Sequence, residues 1–341
     1  ILWTALFLLL YAFAGYPVII WAWASINRKR INPTAHPSHE PSVSVLLSVY
    51  NEEEVIRDKI ENFLQLDYPL DKIELLIISD GCTDQTEDII RSLSSDRVRL
   101  IIQPKRGGKT LALNRAAREA KGDILVFTDA NSMFAPDAVH KLVRCFADPG
   151  IGLVSGRSVY LDPKNRQEQS GGLYRRYEDF IKEQESATVS IIGADGAIYA
   201  MRKEFYQPLP PEYINDFIHP MQVVPFGYRA VHEPGAVCTE VQEADTAGEL
   251  SRQTRIMAQA WLILLSQVPD LLRAGYLGHF WALISHKLLR WMTLPMLATI
   301  LVSNLFLLDS GLLFLFLFLV QAMFYIFVVL GWNSAKRLLN F

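Results

Sequence analysis

The stretch that decides the fold is Ile124-Leu125-Val126-Phe127-Thr128-Asp129-Ala130-Asn131, an apolar run that stops at an acidic residue. Bounded by Gly122-Asp123 and by Asp129, the run predicts a strand that is buried on both faces. In open α/β sheets, ligands bind at the carboxyl ends of the strands. Asp129 is therefore a candidate ligand of a divalent cation, although an isolated acidic residue at such a place is more often a loop or cap residue.

The segments before this run repeat its pattern. Apolar runs at 43–49, 73–79 and about 98–102 each end in polar residues, and a segment with amphipathic helical periodicity follows each of them. Strand and helix thus alternate four times, which predicts an α/β fold with a parallel, doubly wound nucleotide-binding sheet. Downstream, the pattern predicts a helix over 167–190, a strand and tight turn over 191–196, and an edge strand over 236–241.

Composition excludes several classes of protein. The 341 residues are 50% hydrophobic with a net charge of −3. This near-neutral balance gives no general electrostatic reason to bind nucleic acid. Cys82, Cys145 and Cys238 are odd in number and widely spaced. Their spacing favours free thiols in a reducing compartment over disulfides or a zinc site.

Apolar segments at both ends of the sequence predict membrane helices. Residues 1–26 are uncharged and long enough to span a bilayer, and Arg28-Lys29-Arg30 follow at once, which places the next domain in the cytosol. The sequence therefore predicts an integral protein of the cell (inner) membrane. Its predicted segments are a transmembrane helix at 1–26, a linker at 27–41, a cytosolic domain at 42–249, amphipathic interface helices at 250–290, and transmembrane helices at 291–308 and 312–332.

Four motifs at predicted strand ends resemble those of a known family. They are Ser48-Val49-Tyr50-Asn51-Glu52, Asp80-Gly81, the loop 105–109, and Thr128-Asp129-Ala130-Asn131. In this order they resemble the inverting family 2 glycosyltransferases with a GT-A fold. The chain looks closest to the membrane-bound branch that includes cellulose, hyaluronan and poly-N-acetylglucosamine synthases. The resemblance covers about residues 43–255.

This resemblance implies a UDP-sugar donor and a divalent cation at the strand ends. On the implied donor side, Tyr50 and Glu52 line the base pocket, and Asp80 accepts the uracil imide hydrogen. Lys105 and Lys109 contact the diphosphate. Asp129 and Asn131 are the implied ligands of Mg²⁺ or Mn²⁺. Asn131 stands where the family often has a second Asp. An amide oxygen can still bind a metal, but it adds no charge.

The resemblance also implies a base and an acceptor side. Inversion needs a carboxylate that removes the acceptor's proton, and Asp216 is the candidate, with Asp195 as its competitor or as an acceptor-binding group. Arg255 matches the Arg expected to neutralise the leaving diphosphate, and Arg252 stands where the family has Gln. Ile256 replaces a Trp on which an acceptor sugar would stack, which puts processive synthesis in doubt.

Three functions follow as hypotheses. The first is transfer of a hexose or N-acetylhexosamine to a growing polysaccharide. The second is a single addition to a lipid-linked acceptor, and the third is a non-catalytic nucleotide-binding subunit of a synthase complex. Three predicted crossings are few for a secretion pore, so export would require a homo-oligomer, a partner protein or helices missing from this chain.

Overall fold

The computed structural model describes residues 1–29, 40–93, 95–162, 173–241, 246–273 and 275–339, without the side chains of residues 173, 246–253, 268, 270, 329 and 332–339. The chain divides into two compact units. The first, here the helical unit, comprises Ile1–Ile19, Ala244–Thr246 and Trp281–Phe341. The second, here the sheet unit, comprises Ile20–Glu243 and Ala247–Phe280.

A continuous apolar helix opens the chain. It consists of α1 (Leu2–Leu10), a π-helical turn (Tyr11–Gly15) and α2 (Tyr16–Ile26). The helix has 25 residues and is long and apolar enough to cross a membrane. Length and composition thus agree with the helix predicted at 1–26.

Four parallel strands form one half of the sheet. They are β1 (Val43–Val49), β2 (Ile73–Asp80), β3 (Val98–Gln103) and β4 (Ile124–Thr128), in the order β3-β2-β1-β4. The crossovers carry α3 (Ile56–Leu64), α4 (Thr86–Ser92) and α5 (Lys109–Glu119). This half confirms the predicted alternation of strand and helix.

The other half of the sheet is mixed. It contains β5 (Ser132–Phe134), β6 (Ile151–Leu161), β7 (Ile198–Arg202) and β8 (Arg229–Val241), continuing the order as β4-β7-β6-β8-β5. β7 is antiparallel to both β4 and β6, whereas β6 is parallel to β8. α6 (Ala138–Arg144), α7 (Leu173–Ser186) and α8 (Asn215–Val223) connect these strands.

Three sequence predictions in this half were wrong in detail. The segment 191–196 is a loop, because the Ile191 amide bonds to the Ala230 carbonyl (3.0 Å) and the apolar side chains are buried without pairing as a strand. The predicted edge strand is the end of the longer β8, which lies between β6 and β5. Of the helix predicted over 167–190, residues 167–172 lie outside the described residues, and the described helix ends at Ser186 instead of continuing to residue 190.

Two apolar layers cover the two faces of the sheet. Alternate residues of each central strand face opposite sides, so Val45 and Leu47 pack with α3 and α6, whereas Leu46 packs with α5. All three side chains are at most 1% exposed. Burial on both faces explains why the central strands read as continuous apolar runs.

The last helices of the chain are α9 (Thr246–Arg273), α10 (Leu277–Leu283), α11 (Leu289–Trp291), α12 (Thr293–Leu305) and α13 (Leu312–Leu339). Leu277–Trp291 and Thr293–Leu305 are long and apolar enough to cross a membrane only when taken together, and they are bent by 60° at Met292. The helix predicted to start at Trp291 therefore starts after this bend, where Pro295 in the first turn of α12 needs no amide partner. Leu312–Val328 is a shorter apolar helix.

Candidate active site

The predicted donor residues meet at one edge of the sheet. β1, β2 and β4 are parallel neighbours, so the residues that follow Val49, Ser79 and Thr128 lie at the same edge. Asp129 directly follows β4, and its Oδ1 accepts a hydrogen bond from Lys109 Nζ at the start of α5. Burial lowers the pKa of Lys109, but the nearby Asp129 carboxylate outweighs this effect and raises it. Lys109 therefore keeps its positive charge at this edge.

Asp80 holds the basic loop in place. Its side chain is only 2% exposed, and its two oxygens accept hydrogen bonds from the amides of Gly107 and Gly108, both at 2.7 Å. Gln103 Nε2 donates a third at 3.1 Å. The turn after Asp80 needs glycine, since Gly81 has φ +73° and a Cβ there would lie 2.8 Å from the Arg106 amide. A uracil imide would therefore have to share oxygens that the loop already occupies.

We expect Asp80→Asn to weaken donor binding more than it slows catalysis. An amide can accept only one of the two loop hydrogen bonds and turns a donor towards the other amide, which misplaces Lys109. The KM for the donor should rise about tenfold, with a lower Tm. Steady-state kinetics and thermal unfolding would measure both changes; a changed kcat at unchanged KM would contradict this role.

An aromatic and basic surface lies beside the loop. The Arg106 guanidinium stacks over the Tyr50 ring at 3.8 Å, and the exposed Lys105 precedes it. Asn51 adopts φ 55°, and its Oδ1 accepts a hydrogen bond from the Thr83 amide at 2.9 Å. The Glu52 amide bonds to the hydroxyl of Thr86 at 2.8 Å. This geometry brings Tyr50 and Glu52 to the predicted donor side.

Lys59 lies beneath the Asp129 loop and was not predicted. It is 2% exposed, and its Nζ donates to Thr128 Oγ1 at 2.8 Å and to the Ser132 carbonyl. Burial lowers its pKa to about 8. The sequence carried a signal, because Lys59 lies on the apolar face of α3 between Ile56 and Phe63. Lys59 therefore fixes the ends of the loop that carries Asp129 and Asn131.

Asp216 is brought to the same edge by α8. Thr110, next to Lys109, donates to the Asn215 side chain at 3.2 Å, which joins the first turns of α5 and α8. The Asp216 carbonyl accepts a hydrogen bond from the Ala194 amide at 2.8 Å. A Cβ at Gly196 would lie 2.7 Å from Asp216 Oδ2, so the glycine leaves room for this carboxylate.

The environment of Asp216 favours its protonated form. Its Oδ1 is buried without a hydrogen-bond partner among the described residues. Burial raises the pKa of Asp216, Lys109 opposes this shift, and the charges of Asp129 and Asp195 add to it. A carboxylate with a raised pKa and a free oxygen is suited to accept a proton.

Asp195 has different partners and is held more tightly. Its carboxylate accepts hydrogen bonds from the amide and hydroxyl of Ser158, at 2.9 and 2.6 Å, and its amide donates to the Ser155 hydroxyl at 2.8 Å. Both serines belong to β6. These hydrogen bonds fix the carboxylate and stabilise its charge while leaving Oδ2 able to accept another, so Asp195 fits an acceptor-binding role better than that of a base.

Glu240 is a further carboxylate that the sequence reasoning missed. It pairs with Ser132 across β5 and β8, and it accepts a hydrogen bond from the Ser132 hydroxyl. Burial raises its pKa, and the charges of Asp129 and Asp195 contribute. Glu240 follows Ala236 and Cys238 on the inward face of β8. An acidic residue at the end of this row of buried residues was the sequence signal that could have identified it.

The remaining predicted residues are less well connected. Arg255 is exposed on α9, and no described hydrogen bond or ion pair joins it to Asp129 or Lys109. The side chain of Arg252 lies outside the described residues, and Asn131 is exposed just after Asp129. The roles of Arg255 and Arg252 stay predictions.

The strand-end residues fit a hard divalent cation. No group of three or more His, Cys, Asp or Glu residues in the described ranges forms a complete metal cage. Mg²⁺ commonly takes one or two protein oxygens and completes its shell with substrate phosphates and water. The Asp129 carboxylate and the Asn131 amide offer oxygens of this kind, and Mn²⁺ accepts the same donors.

Sequence comparison matches part of the sheet unit to a known family. Residues 44–207 match the model of Glycosyl transferase family 2. The chain is 37% identical over 123 residues to the probable glycosyltransferase YdaM of Bacillus subtilis. The aligned region covers 34% of this chain and 29% of that protein. It is 33% identical over 135 residues to poly-beta-1,6-N-acetyl-D-glucosamine synthase of Staphylococcus aureus, covering 39% and 31%. The chain thus spans less than a third of the length of these relatives.

Comparison with solved structures identifies the fold as that of glycosyltransferases. The mannosyltransferase PcManGT of Pyrobaculum calidifontis, solved with GDP-Man and Mn²⁺, matches with a TM-score of 0.75 and 24% identity, over 98% of this chain and 95% of that one. The prediction of a GT-A fold is confirmed. Residues 44–207 are therefore a glycosyltransferase family 2 domain with the GT-A fold.

Proposed function

We propose that the chain is an inverting hexosyltransferase that transfers a hexose or N-acetylhexosamine from a UDP-sugar to a carbohydrate hydroxyl. The observation that carries this proposal is the grouping of Asp216, Lys109 and Asp129 at one sheet edge. It combines a carboxylate able to accept a proton with cationic and metal-binding groups for a diphosphate. The family of the domain and its nucleotide-sugar-binding neighbour support the same reaction class.

The reaction follows from these positions. The acceptor oxygen attacks the anomeric carbon of the donor, and the bond from that carbon to the diphosphate oxygen breaks. Asp216 takes the hydroxyl proton. Lys109 and Lys105 compensate the charge that develops on the leaving nucleoside diphosphate. Mg²⁺ or Mn²⁺, held by Asp129 and Asn131, supplies further charge stabilisation when bound.

A growing polysaccharide is the proposed acceptor, and a lipid-linked saccharide is the alternative. The name of the Staphylococcus aureus relative supports the first. Ile256, where the synthases have a Trp, supports single addition to the second. Asp195, fixed by Ser158 on β6, is suited to bind an acceptor hydroxyl in either case.

The proposed setting is the cytosolic face of the cell (inner) membrane. The apolar helix Leu2–Ile26, followed by Arg28 and Lys29, supports it. Lipid bilayer, acceptor and a homo-oligomer or export partner are then the proposed partners.

Release of nucleoside diphosphate tests the function directly. The full chain in detergent is supplied with UDP-glucose, UDP-N-acetylglucosamine, UDP-galactose or GDP-mannose, with Mg²⁺ or Mn²⁺ and then with EDTA. We expect turnover of one UDP-sugar that EDTA abolishes, and the size of the product separates polymer from single addition.

The alternative of a non-catalytic subunit predicts a different outcome. Such a protein would bind nucleotide but release none from any sugar donor above a buffer blank. Turnover of GDP-mannose alone would retain the transferase and overturn the choice of a UDP-sugar.

A further inference from the structure

A tight turn at the end of α8 exposes an aromatic side chain. α8 continues into a 3₁₀ turn, Val224–Phe226, which ends at Gly227 with φ +85°. The Gly227 amide closes this turn on the Val224 carbonyl at 2.9 Å. Phe226 is 53% exposed, yet its ring stacks on that of the buried Phe205, with the ring centroids 5.6 Å apart. The turn, here named the Phe226 turn, therefore presents an apolar ring in a defined orientation.

A second turn, between α9 and α10, lies beside the Phe226 turn. The Tyr276 hydroxyl donates to the Pro225 carbonyl at 3.4 Å. The backbone of the second turn is also closed by hydrogen bonds, since the Gly275 amide donates to the Leu272 carbonyl at 3.1 Å. Leu272 and Leu277 stand on either side of this turn, and both are exposed. Two neighbouring turns thus expose three large apolar side chains.

Both turns contact the end of the candidate membrane span. The last part of that span belongs to the sheet unit, which begins at Ile20. A Cβ at Gly278, the second residue of α10, would lie 3.5 Å from the Trp23 ring in the last turn of the span. Arg229, which starts β8 just after the Phe226 turn, donates from Nη1 to the Lys29 carbonyl at 3.4 Å. Trp near the end of a span and basic residues just beyond it lie at the boundary between lipid and water. The two turns therefore lie close to this boundary.

The charges near the exposed apolar side chains fit a lipid surface. Arg28 and Lys29 follow the span, Arg273 adjoins Leu272, and all three cations are exposed. Anionic head groups attract basic residues at the membrane surface. Aromatic and aliphatic side chains next to such residues bury themselves at the boundary of head groups and acyl chains. This combination, continuous with an apolar span, favours a lipid bilayer as the occupant of the surface.

We propose that the Phe226 turn inserts into the interface of an anionic lipid bilayer and, together with Leu272 and Leu277, holds the sheet unit on the membrane. Asp216 lies at the start of α8, within about 15 Å of Phe226 at the rise of a helix. The contact therefore fixes the position of the proposed base relative to the lipid surface. The inference rests on the proposed membrane setting and goes beyond the proposed reaction, because Phe226 lies outside the interface helices predicted at 250–290.

The fluorescence of a dye at position 226 tests this proposal. The full chain with Phe226→Cys is labelled with the environment-sensitive dye NBD and placed in nanodiscs of phosphatidylcholine with or without phosphatidylglycerol. Lipids that carry a spin label near the head group quench a dye in the membrane interface, whereas iodide quenches a dye in water. We expect a blue shift of the emission and strong quenching by the spin-labelled lipids. Both should increase with phosphatidylglycerol, and iodide should have little effect.

A matched control uses an exposed apolar residue far from β8. Ile102 is exposed on β3, at the other end of the sheet order, so a dye on Ile102→Cys should be quenched by iodide and not by the spin-labelled lipids. The unsubstituted chain corrects for dye on Cys82, Cys145 and Cys238.

The remaining outcomes overturn the proposal or part of it. Equal quenching of Phe226→Cys and Ile102→Cys by iodide would overturn the membrane contact. Resistance to both quenchers would overturn it as well, because a protein surface such as a second copy would then cover the turn. An equal response in discs without phosphatidylglycerol would overturn the preference for anionic lipid. If Phe226→Cys does not fold, Pro225→Cys at the neighbouring exposed position decides.

Donor turnover in the same discs separates this inference from the proposed function. Turnover by a wild-type chain whose Phe226 turn is open to water would overturn the membrane contact and leave the transferase standing. Lipid contact without turnover of any nucleotide sugar would overturn the transferase and leave the membrane contact standing.

Discussion

Asp216→Asn should reduce sugar transfer by about 10²–10⁴-fold, the usual contribution of a positioned general base. Asn has nearly the same shape, so the fit against Gly196 is preserved. It cannot accept a proton at neutral pH, which removes the one chemical role proposed for this residue. The loss should appear in kcat, while the Kd of the donor changes little.

The stability of this variant separates lost chemistry from lost folding. A carboxyl whose pKa is raised in the folded state stabilises the protein at low pH, and its contribution falls as pH rises through that pKa. At neutral pH the buried, ionised carboxylate of Asp216 destabilises the folded protein, whereas a neutral Asn side chain does not. The Tm of Asp216→Asn at neutral pH should therefore be no lower than that of the wild type. Asp137→Asn, which affects an exposed ion pair with Lys141, is the matched control for activity. Full activity of Asp216→Asn would move the base to Asp195.

The pH profile of the wild type gives an independent readout. Because Asp216 must be ionised to accept a proton, kcat/KM should rise with pH through its folded-state pKa. Burial raises that pKa, so the acid limb should lie above the ordinary value of 3.8. The limb should be absent from the residual activity of Asp216→Asn. A profile that is flat from that value to neutral pH would contradict a buried carboxyl base.

Asp129→Ala should reduce transfer by about 10²–10³-fold and abolish tight binding of Mn²⁺. This substitution removes the only charged protein ligand proposed for the metal and the partner of Lys109, so the leaving diphosphate loses charge stabilisation. Asn131→Asp should act in the opposite direction, because a carboxylate replaces an amide beside Asp129. Electron paramagnetic resonance of Mn²⁺ measures binding without relying on turnover.

Two controls sharpen this comparison. Asp71→Ala removes an exposed carboxylate from the turn before β2, at the opposite edge of the sheet, and should change neither binding nor activity. Loss of transfer in Asp129→Ala with unchanged Mn²⁺ binding would show that Glu240 or other groups hold the metal. Weaker Mn²⁺ binding in Asn131→Asp would contradict ligation at that position.

The parallel half of the sheet and most of the donor side were predictable from local sequence. In the continuous apolar runs of β1, β2 and β4, the side chains on both faces are apolar. They can all be buried only in a sheet that is covered on both faces. Parallel strands place their carboxyl ends at one edge, so Tyr50, Asp80 and Asp129 had to lie near one another. Chain order alone therefore predicted the sheet edge at which these three residues lie.

Contacts between distant segments decided the rest. The local pattern could not give the antiparallel direction of β7, because an apolar strand reads alike in both directions. The hydrogen bonds that the Asp80 oxygens accept from the amides of Gly107 and Gly108 were not predicted. The bond from Lys59 to Thr128 spans 69 residues, and Glu240 reaches the site only through pairing with β5.

The sequence by itself determined the α/β order, the apolar N-terminal helix and the residue types that a diphosphate requires. Periodicity and strand-end chemistry are local properties that survive without coordinates. Only the tertiary structure decided which carboxylate is left with a free oxygen. Ser158 occupies Asp195, whereas Gly196 leaves space for Asp216. Hydrogen-bond satisfaction and burial depend on neighbours brought together by folding, and these neighbours set the pKa of each group.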